Sequence, residues 1–311
     1  MKINNIGIIG IGSYVPEKIL TNADIDLLGN GTNSDWTREK LGIEERRIVQ
    51  DEVPSDLAYH AAMAAIEDAG ITKDDIDLII VATSSPDRIS PSTAIIMAKR
   101  LGIKKPAFDI NAVCTGFVYG LQMASSLISV KQYKNILLIG ADAYSRITDW
   151  NRKDCVFFGD GAGAIILSEV KNGWINTDLY GDANGKEAFT CHHSGTFKMD
   201  GKAVYDFGTS ILPSTIKSSL ENLNISNEDV AWIIPHQPGH RVLLKTAEVL
   251  DFPVEKIVFN MAKFANTAGA SIPMALDSIY KQNKIKNGDI LVMPAIGSGW
   301  TYGVSILKYI K

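Results

Sequence analysis

The sequence predicts an α/β protein made of two similar halves packed into one body. Three observations carry that expectation. Short runs such as Leu78–Ala82 and Ile136–Gly140 are apolar on both faces, as strands covered by helices on either side must be. Segments with helical apolar spacing alternate with these runs. The chain also repeats itself. ITKDDIDLIIVATSSPDR begins at Ile71 and ISNEDVAWIIPHQPGHR at Ile225, 154 residues later. Ile79 aligns with Ile233, and Ile80 with Ile234. NILLIGADA and DILVMPAIG recur at the same interval, Ile136 matching Ile290. GAGAIILSE near Gly163 resembles TYGVSILKY near Gly303. Two copies are too few for a solenoid.

Along the chain, the N-terminal MKINNIGIIGIGSYVP reads as a strand and turn, because Asn4, Asn5 and several glycines interrupt any signal-peptide pattern. An amphipathic helix over Ala58–Ala69 precedes the strand Leu78–Ala82. Ala107–Ile110 is a further strand, and after Cys114 the segment TGFVYGLQMASSLI is apolar nearly all round, which predicts a buried helix. The strand Ile136–Gly140 follows, then the glycine-rich FFGDGAGA and a strand beginning at Ala164–Leu167. The polar, glycine-containing SEVKNGWINT, Ser168–Thr177, reads as the join between the halves. This gives an N-terminal half, 1–170, and a C-terminal half, 171–311. In the second half an amphipathic helix over Leu212–Leu223 precedes the strand AWIIPHQ. FANTAGAS introduces another apolar helix, and GSGWTYG lies between two final strands.

The bulk properties exclude several classes. The chain has 311 residues, 46% of them hydrophobic, and a net charge of −4 with both signs interspersed. No basic run suits nucleic acid or an anionic membrane, and no apolar run reaches the length of a membrane span. Cytoplasmic localisation is the expectation. Three widely spaced cysteines, Cys114, Cys155 and Cys191, do not make a disulfide framework. Cys191-His192-His193 is poorly spaced to grip one metal ion. FFGDGAGA lacks the spacing of a dinucleotide loop.

Three residues stand out as chemistry-bearing. Cys114 sits between a strand and a helix start, where the helix dipole and free N–H groups lower a thiol pKa; a small buried hydrophobe is the alternative. His236 ends a buried strand, where polar groups open into clefts, or it is a hydrogen-bonded core histidine. Asn266 precedes an apolar helix in a context like that of Cys114, or it is a turn or cap residue. The order Cys, His, Asn admits hydrolysis by a papain-like set or thioester acyl transfer. The local signature of the first is absent.

With those residues in hand, the chain resembles the thiolase superfamily and, within it, the β-ketoacyl-acyl-carrier-protein synthase III family. GIGSYVPEKILTNADID, SDW with LGIEERRI, FDINAVCTGF, FGDGAGA, PHQ, NTAGASIP and GSGWTYG carry the resemblance in order along the chain. It implies a thiolase-like five-layered αβαβα fold with internal duplication, a homodimer, and acyl-CoA and acyl carrier protein as partners, with no cofactor or metal. It implies Cys114 as the acylated nucleophile, with His236 and Asn266 as donors to the malonyl enolate. It places the backbone N–H groups of Cys114 and Ser298 at the acyl-enzyme oxyanion. By resemblance, Trp36 stacks on the adenine of CoA, Arg152 covers its other face, and Lys40 and Arg241 lie nearby; Lys40 supplies charge without the planar fork of an arginine. Two departures stand out. His236-Gln237-Pro238-Gly239 replaces the family's His-Gln-Ala-Asn, and the segment between Tyr180 and Met199 is short. By resemblance, Ser90 stands where relatives carry a bulky aromatic that the partner subunit contributes to the acyl pocket, with Arg88 two residues earlier. The small side chain predicts room for acyl groups larger than acetyl. An acyltransferase making esters or amides, and a non-catalytic partner subunit, are the alternative readings.

Overall fold

In the computed structural model of the chain, residues 2–193 and 195–311 are described. Among them, eight strands form one continuous sheet. In the first half these are β1 (Ile3–Tyr14), β2 (Leu78–Ala82), β3 (Ala107–Ile110), β4 (Ile136–Ala143) and β5 (Asp160–Gly181). In the second they are β6 (Val230–Ile233), β7 (Ile290–Gly297) and β8 (Thr301–Lys308). The principal helices are α1 (Ser34–Leu41), α2 (Pro54–Ala69), α3 (Thr93–Leu101), α4 (Gly116–Ser129), α5 (Gly201–Leu223), α6 (His240–Leu250) and α7 (Ser271–Tyr280).

The duplication is visible in the strand order. One part of the sheet runs β3-β2-β4-β5-β1, with β2 parallel to β3 and β4, and β5 antiparallel to β4 and β1. The other runs β6-β7-β8-β5, with β6 parallel to β7 and β8 antiparallel to both neighbours. Ile257 extends that edge by a parallel bridge to Ile233, in the place that β3 takes beside β2. The far end of β5, Trp174–Gly181, plays for β8 the part that β1 plays for the near end.

Ser168–Thr177, where the join between the halves is expected, is the middle of β5. Ser168 and Glu169 pair with β1, and Trp174 onward pairs with β8, so both ends of the segment are held in ladders. Between them the register against β1 shifts from Glu169 to Trp174, and Asn172 in that irregular stretch takes a positive φ of 68°.

Burial on both faces of the strands generates the layers. In β2, Leu78 and Ile80 point to the central core while Ile79 and Val81 point to an outer one; the two-residue period allows no other distribution. Leu138 and Ile139 of β4 divide in the same way, as do Leu291 and Val292 of β7. Helices α2 and α3 cover the first outer face, and α5 and α6 the second. Between the sheet halves lie α4 and α7, which contribute Phe117, Leu121, Leu276 and Ile279 to a core shared with strands of both halves. The result is α-β-α-β-α. Each large side chain so enclosed contributes roughly 1.5–3 kcal/mol, which is why α4 is apolar all round. The paired Gly140 and Gly163 let α7 sit directly on the first half-sheet. Among the described residues no helix is long and apolar enough to cross a membrane.

Candidate active site

The nucleophile turn follows β3. Asn111 Oδ1 accepts from the Val113 amide (3.1 Å), and Val113 takes a positive φ of 51°. The chain then makes one tight turn, Val113–Thr115, and enters α4. Cys114 sits in that turn, 8% exposed. The other half of the chain clamps the turn in place. Thr115 Oγ1 donates to the Thr301 carbonyl (3.1 Å), and Thr301 Oγ1 donates to Ala112 O (3.2 Å). A Cβ on Gly297 would lie 2.8 Å from Thr115 Oγ1, so only glycine lets β7 end against the turn. That approach carries Ser298 to the cavity that Cys114 lines. The Ser298 hydroxyl is turned away to Phe189 O (2.6 Å), and its amide makes no hydrogen bond within the described residues.

The thiol itself departs from expectation. Burial pushes the Cys114 pKa up, and the Asp142 carboxylate adds to the effect. Loss of water around the thiolate outweighs the helix start, so the resting side chain is a neutral thiol.

His236 and Asn266 meet across the two ends of the second half. The His236 amide donates to Pro294 O (2.9 Å), continuing the pairing of β6 with β7 and fixing the ring at the strand end. Asn266 is held through its backbone, donating to Phe157 O (3.1 Å) and accepting from Gly159 N (3.0 Å). The segment FFGDGAGA thus cradles the Asn266 loop. A Cβ on Gly159 would lie 2.4 Å from Phe264 O, which explains that glycine without a nucleotide.

Asn266 Oδ1 accepts from the Ala268 amide at 2.8 Å and lies 3.1 Å from His236 Nε2. An oxygen facing that nitrogen assigns the proton to Nε2. The committed oxygen also leaves Asn266 Nδ2 as the amide's remaining donor. Burial lowers the His236 pKa to about 4, partly opposed by the bond to Asn266, so the imidazole is neutral at pH 7. His236 Nδ1 is buried and has no partner among the described residues.

Asp142 was not singled out in the sequence, where it ends the apolar run ILLIGADA. It is fully buried. Its Oδ1 accepts from the amides of Ser84 (2.8 Å) and Ser85 (3.0 Å), and Oδ2 accepts from the Gly269 amide (2.9 Å). It therefore ties the Asn266 loop to the first half.

Cys114, His236, Asn266 and Ser298 line one cavity of about 1150 Å³. Trp36, Lys40 and Arg241 line it too. Trp36 and Lys40 share a face of α1 at i,i+4 spacing, and Trp36 is 46% exposed. Asn33 caps that helix by accepting from the Trp36 amide (2.8 Å).

Other expected residues lie elsewhere. Arg152 does not line the cavity, because its guanidinium donates to Phe197 O (2.8 Å) and pairs with Asp154. Its neighbours Lys153 and Asp154 do line it. Arg88 and Ser90 are exposed and outside the cavity lining of their own chain. Gly239 lines the cavity at φ 148°, with no atom within 4 Å of where a Cβ would stand. Phe189 and Met199, from the short segment after Tyr180, form part of the wall. Cys191, His192 and His193 are exposed, and Ser194 lies outside the described residues.

Comparison with known proteins accords with this arrangement. The sequence model for 3-oxoacyl-[acyl-carrier-protein] synthase III matches residues 108–183, and the model of that family's C-terminal part matches residues 220–309. A β-ketoacyl-[acyl-carrier-protein] synthase III of Clostridium acetobutylicum is 40% identical, over 99% of this chain and 100% of its own length. One from Thiobacillus denitrificans is 41% identical, over 97% and 98%. The crystal structure of 3-oxoacyl-[acyl-carrier-protein] synthase III from Aquifex aeolicus superposes with a TM-score of 0.95 at 36% identity, covering 98% of this chain and 100% of that one. Two covering family models and full-length relatives at this identity lead to one conclusion: the chain belongs to the 3-oxoacyl-[acyl-carrier-protein] synthase III family.

Proposed function

We propose that the protein condenses an acyl group from acyl-CoA with a malonyl group on acyl carrier protein, releasing CO2 and giving a 3-oxoacyl-acyl carrier protein. The observation that carries the reading is the meeting of Cys114, His236 and Asn266 on one cavity, with the Ser298 amide beside them. In the first stage the Cys114 sulfur attacks the thioester carbonyl. The bond from carbonyl carbon to CoA sulfur breaks, and CoA leaves as its thiol with the proton that Cys114 gives up. The backbone N–H groups of Cys114 and Ser298 take the transient oxyanion. In the second stage the malonyl carbon–carboxylate bond breaks. Its electron pair moves into the thioester, and the oxygen becomes an enolate. His236 Nε2–H, which rests on Asn266 Oδ1, turns to donate to that oxygen together with Asn266 Nδ2. A neutral imidazole suits the task, since it donates without giving its proton away. The enolate carbon then attacks the acyl carbonyl on Cys114, the C–S bond breaks, and the cysteine thiolate takes a proton from water.

Trp36, Lys40 and Arg241 are the residues we assign to CoA, with the indole offering a stacking face and the two cations facing phosphate. The protein acts in the cytoplasm as a homodimer, with residues 1–170 supplying the nucleophile and 171–311 the histidine and asparagine. The residues call for no metal or further cofactor. Product mass tests the reading. With acetyl-CoA and malonyl-acyl carrier protein, the carrier product retains two malonyl carbons; an ester- or amide-forming acyltransferase adds the acyl group alone. A chain that binds acyl-CoA but never acylates Cys114 would overturn it.

A further inference from the structure

The Cys114 side chain belongs to a small apolar cluster with Tyr144, Phe158, Phe197 and Ala268, against which Phe189 packs. Phe158 and Phe189 line the cavity, whereas Tyr144 and Phe197 lie behind them, each 1% exposed. Tyr144 stacks on Phe158 with ring centroids 4.4 Å apart, and Phe197 meets Phe158 edge-on at 4.9 Å. The space beyond the thiol is therefore filled with aromatic rings from the same chain.

One of those rings is anchored. The Tyr144 hydroxyl lies 2.9 Å from Ser84 Oγ, and Ser84 Oγ lies 3.2 Å from Asp142 Oδ1. A serine has a single proton to give. With that proton on the carboxylate side, Tyr144 must be the donor to Ser84. Asp142 is fixed in turn by the amides of Ser84, Ser85 and Gly269. Swinging Tyr144 aside would leave its hydroxyl buried and unpaired.

We propose that Tyr144, held through Ser84 by Asp142, is the inner wall of the acyl site and limits the length of acyl group that Cys114 carries. This rests on the reading of Cys114 as the acylated residue. It differs from the expectation drawn from Ser90, because it places the limiting wall within the chain that carries Cys114. An acyl chain that passes Phe158 must displace a second, anchored ring. Leucine at 144 would keep the site apolar while removing both ring and anchor. Phenylalanine would keep the ring and remove only the anchor.

The test is the kcat/KM for acylation of Cys114 by acetyl-CoA and hexanoyl-CoA, read by peptide mass. The parent is expected to favour acetyl at least tenfold. Tyr144→Leu should shrink that preference tenfold or more while still loading acetyl. Tyr144→Phe and Ser84→Ala should each shift it several-fold in the same direction, which keeps the test decisive should Tyr144→Leu not fold. Equal loading of both chains by the parent would overturn the proposal, as would an unchanged ratio in all three variants. A parent that loads no acyl-CoA of any length would instead overturn the function on which the wall depends.

Discussion

Gly140→Ala probes how the fold places Asn266. A Cβ at Gly140 would stand 2.1 Å from Gly269 O and 2.7 Å from the Gly269 carbonyl carbon. Carbon and oxygen do not share less than about 3 Å, so strand and loop must part by roughly 1 Å. Neither side yields cheaply. Gly140 is paired on both sides, to Ala82 and Gly163, and the contacted atoms are backbone at the entry to α7. Overpacking of this kind costs about 1–3 kcal/mol. The displaced loop carries Asn266, whose Oδ1 contacts the Ala268 amide and His236. A misplacement of about 1 Å at a reacting group lowers rates by about 10²-fold. Gly10→Ala is the comparator, since its Cβ would stand 2.2 Å from Ala65 O in the outer layer, away from the cavity. Both variants should lose similar stability in urea. Only Gly140→Ala should lose CO2 release from malonyl-acyl carrier protein out of proportion to acyl loading. If Gly10→Ala loses decarboxylation to the same extent, the positioning argument is wrong.

Burial holds the His236 pKa at about 4 against an ordinary 6.5, so the unfolded chain binds the proton first and stability falls as pH drops from 6.5 through 4, by up to roughly 3 kcal/mol. Burial raises the Asp160 pKa to about 6 from 3.8, which costs stability of similar size as pH rises through that interval, so the two slopes offset. Asp160→Asn should therefore lose more stability than the parent between pH 6.5 and 4.5 in urea titrations; equal losses would show that the Asp160 carboxyl is not perturbed. Because the Cys114 thiol is pushed up, iodoacetamide at pH 7 should modify the exposed Cys191 well before Cys114, with Cys114 labelling still rising above pH 9; a Cys114 rate that levels off below pH 8 would contradict this. Gly239→Ala should cost about 1–3 kcal/mol although its surroundings are open, because φ 148° and ψ 143° suit glycine alone; an unchanged urea midpoint would count against that strain.

The strands were legible where both faces are buried, since an uninterrupted apolar run needs no knowledge of its neighbours. Leu78–Ala82, buried throughout, matches the structure at both ends; so does Ala107–Ile110, although it is half-buried and contains Asp109. The internal repeat foretold the matching strand orders. What the sequence concealed depends on distant contacts. Polar Ser168–Thr177 marks the join between the halves, but its extended form is hidden because the ladders from β1 and β8 that hold it lie far away in the chain. Tyr144 and Asp142 pass for the polar end of a strand until Ser84, some sixty residues earlier, is seen beside them. Arg152 carries a plausible charge, but its sequence position does not disclose that the Phe197 carbonyl and Asp154 already hold it. The raised pKa of Cys114 is hidden from the sequence for a related reason. A helix start is visible in the residue order, whereas the depth of burial that opposes it is a property of the assembled layers.

Loading falls to Cys114 and carbanion formation to His236 and Asn266 in the proposed mechanism, and separating those half-reactions tests that division most directly. Acylation of Cys114 by acetyl-CoA and CO2 release from malonyl-acyl carrier protein would be timed separately in the parent, His236→Ala and Asn266→Ala. Each variant should load within about tenfold of the parent yet lose CO2 release by about 10²-fold or more, the loss typical of a missing oxyanion donor. Equal losses in both half-reactions, or intact CO2 release in either variant, would contradict the division of labour on which the proposed mechanism stands.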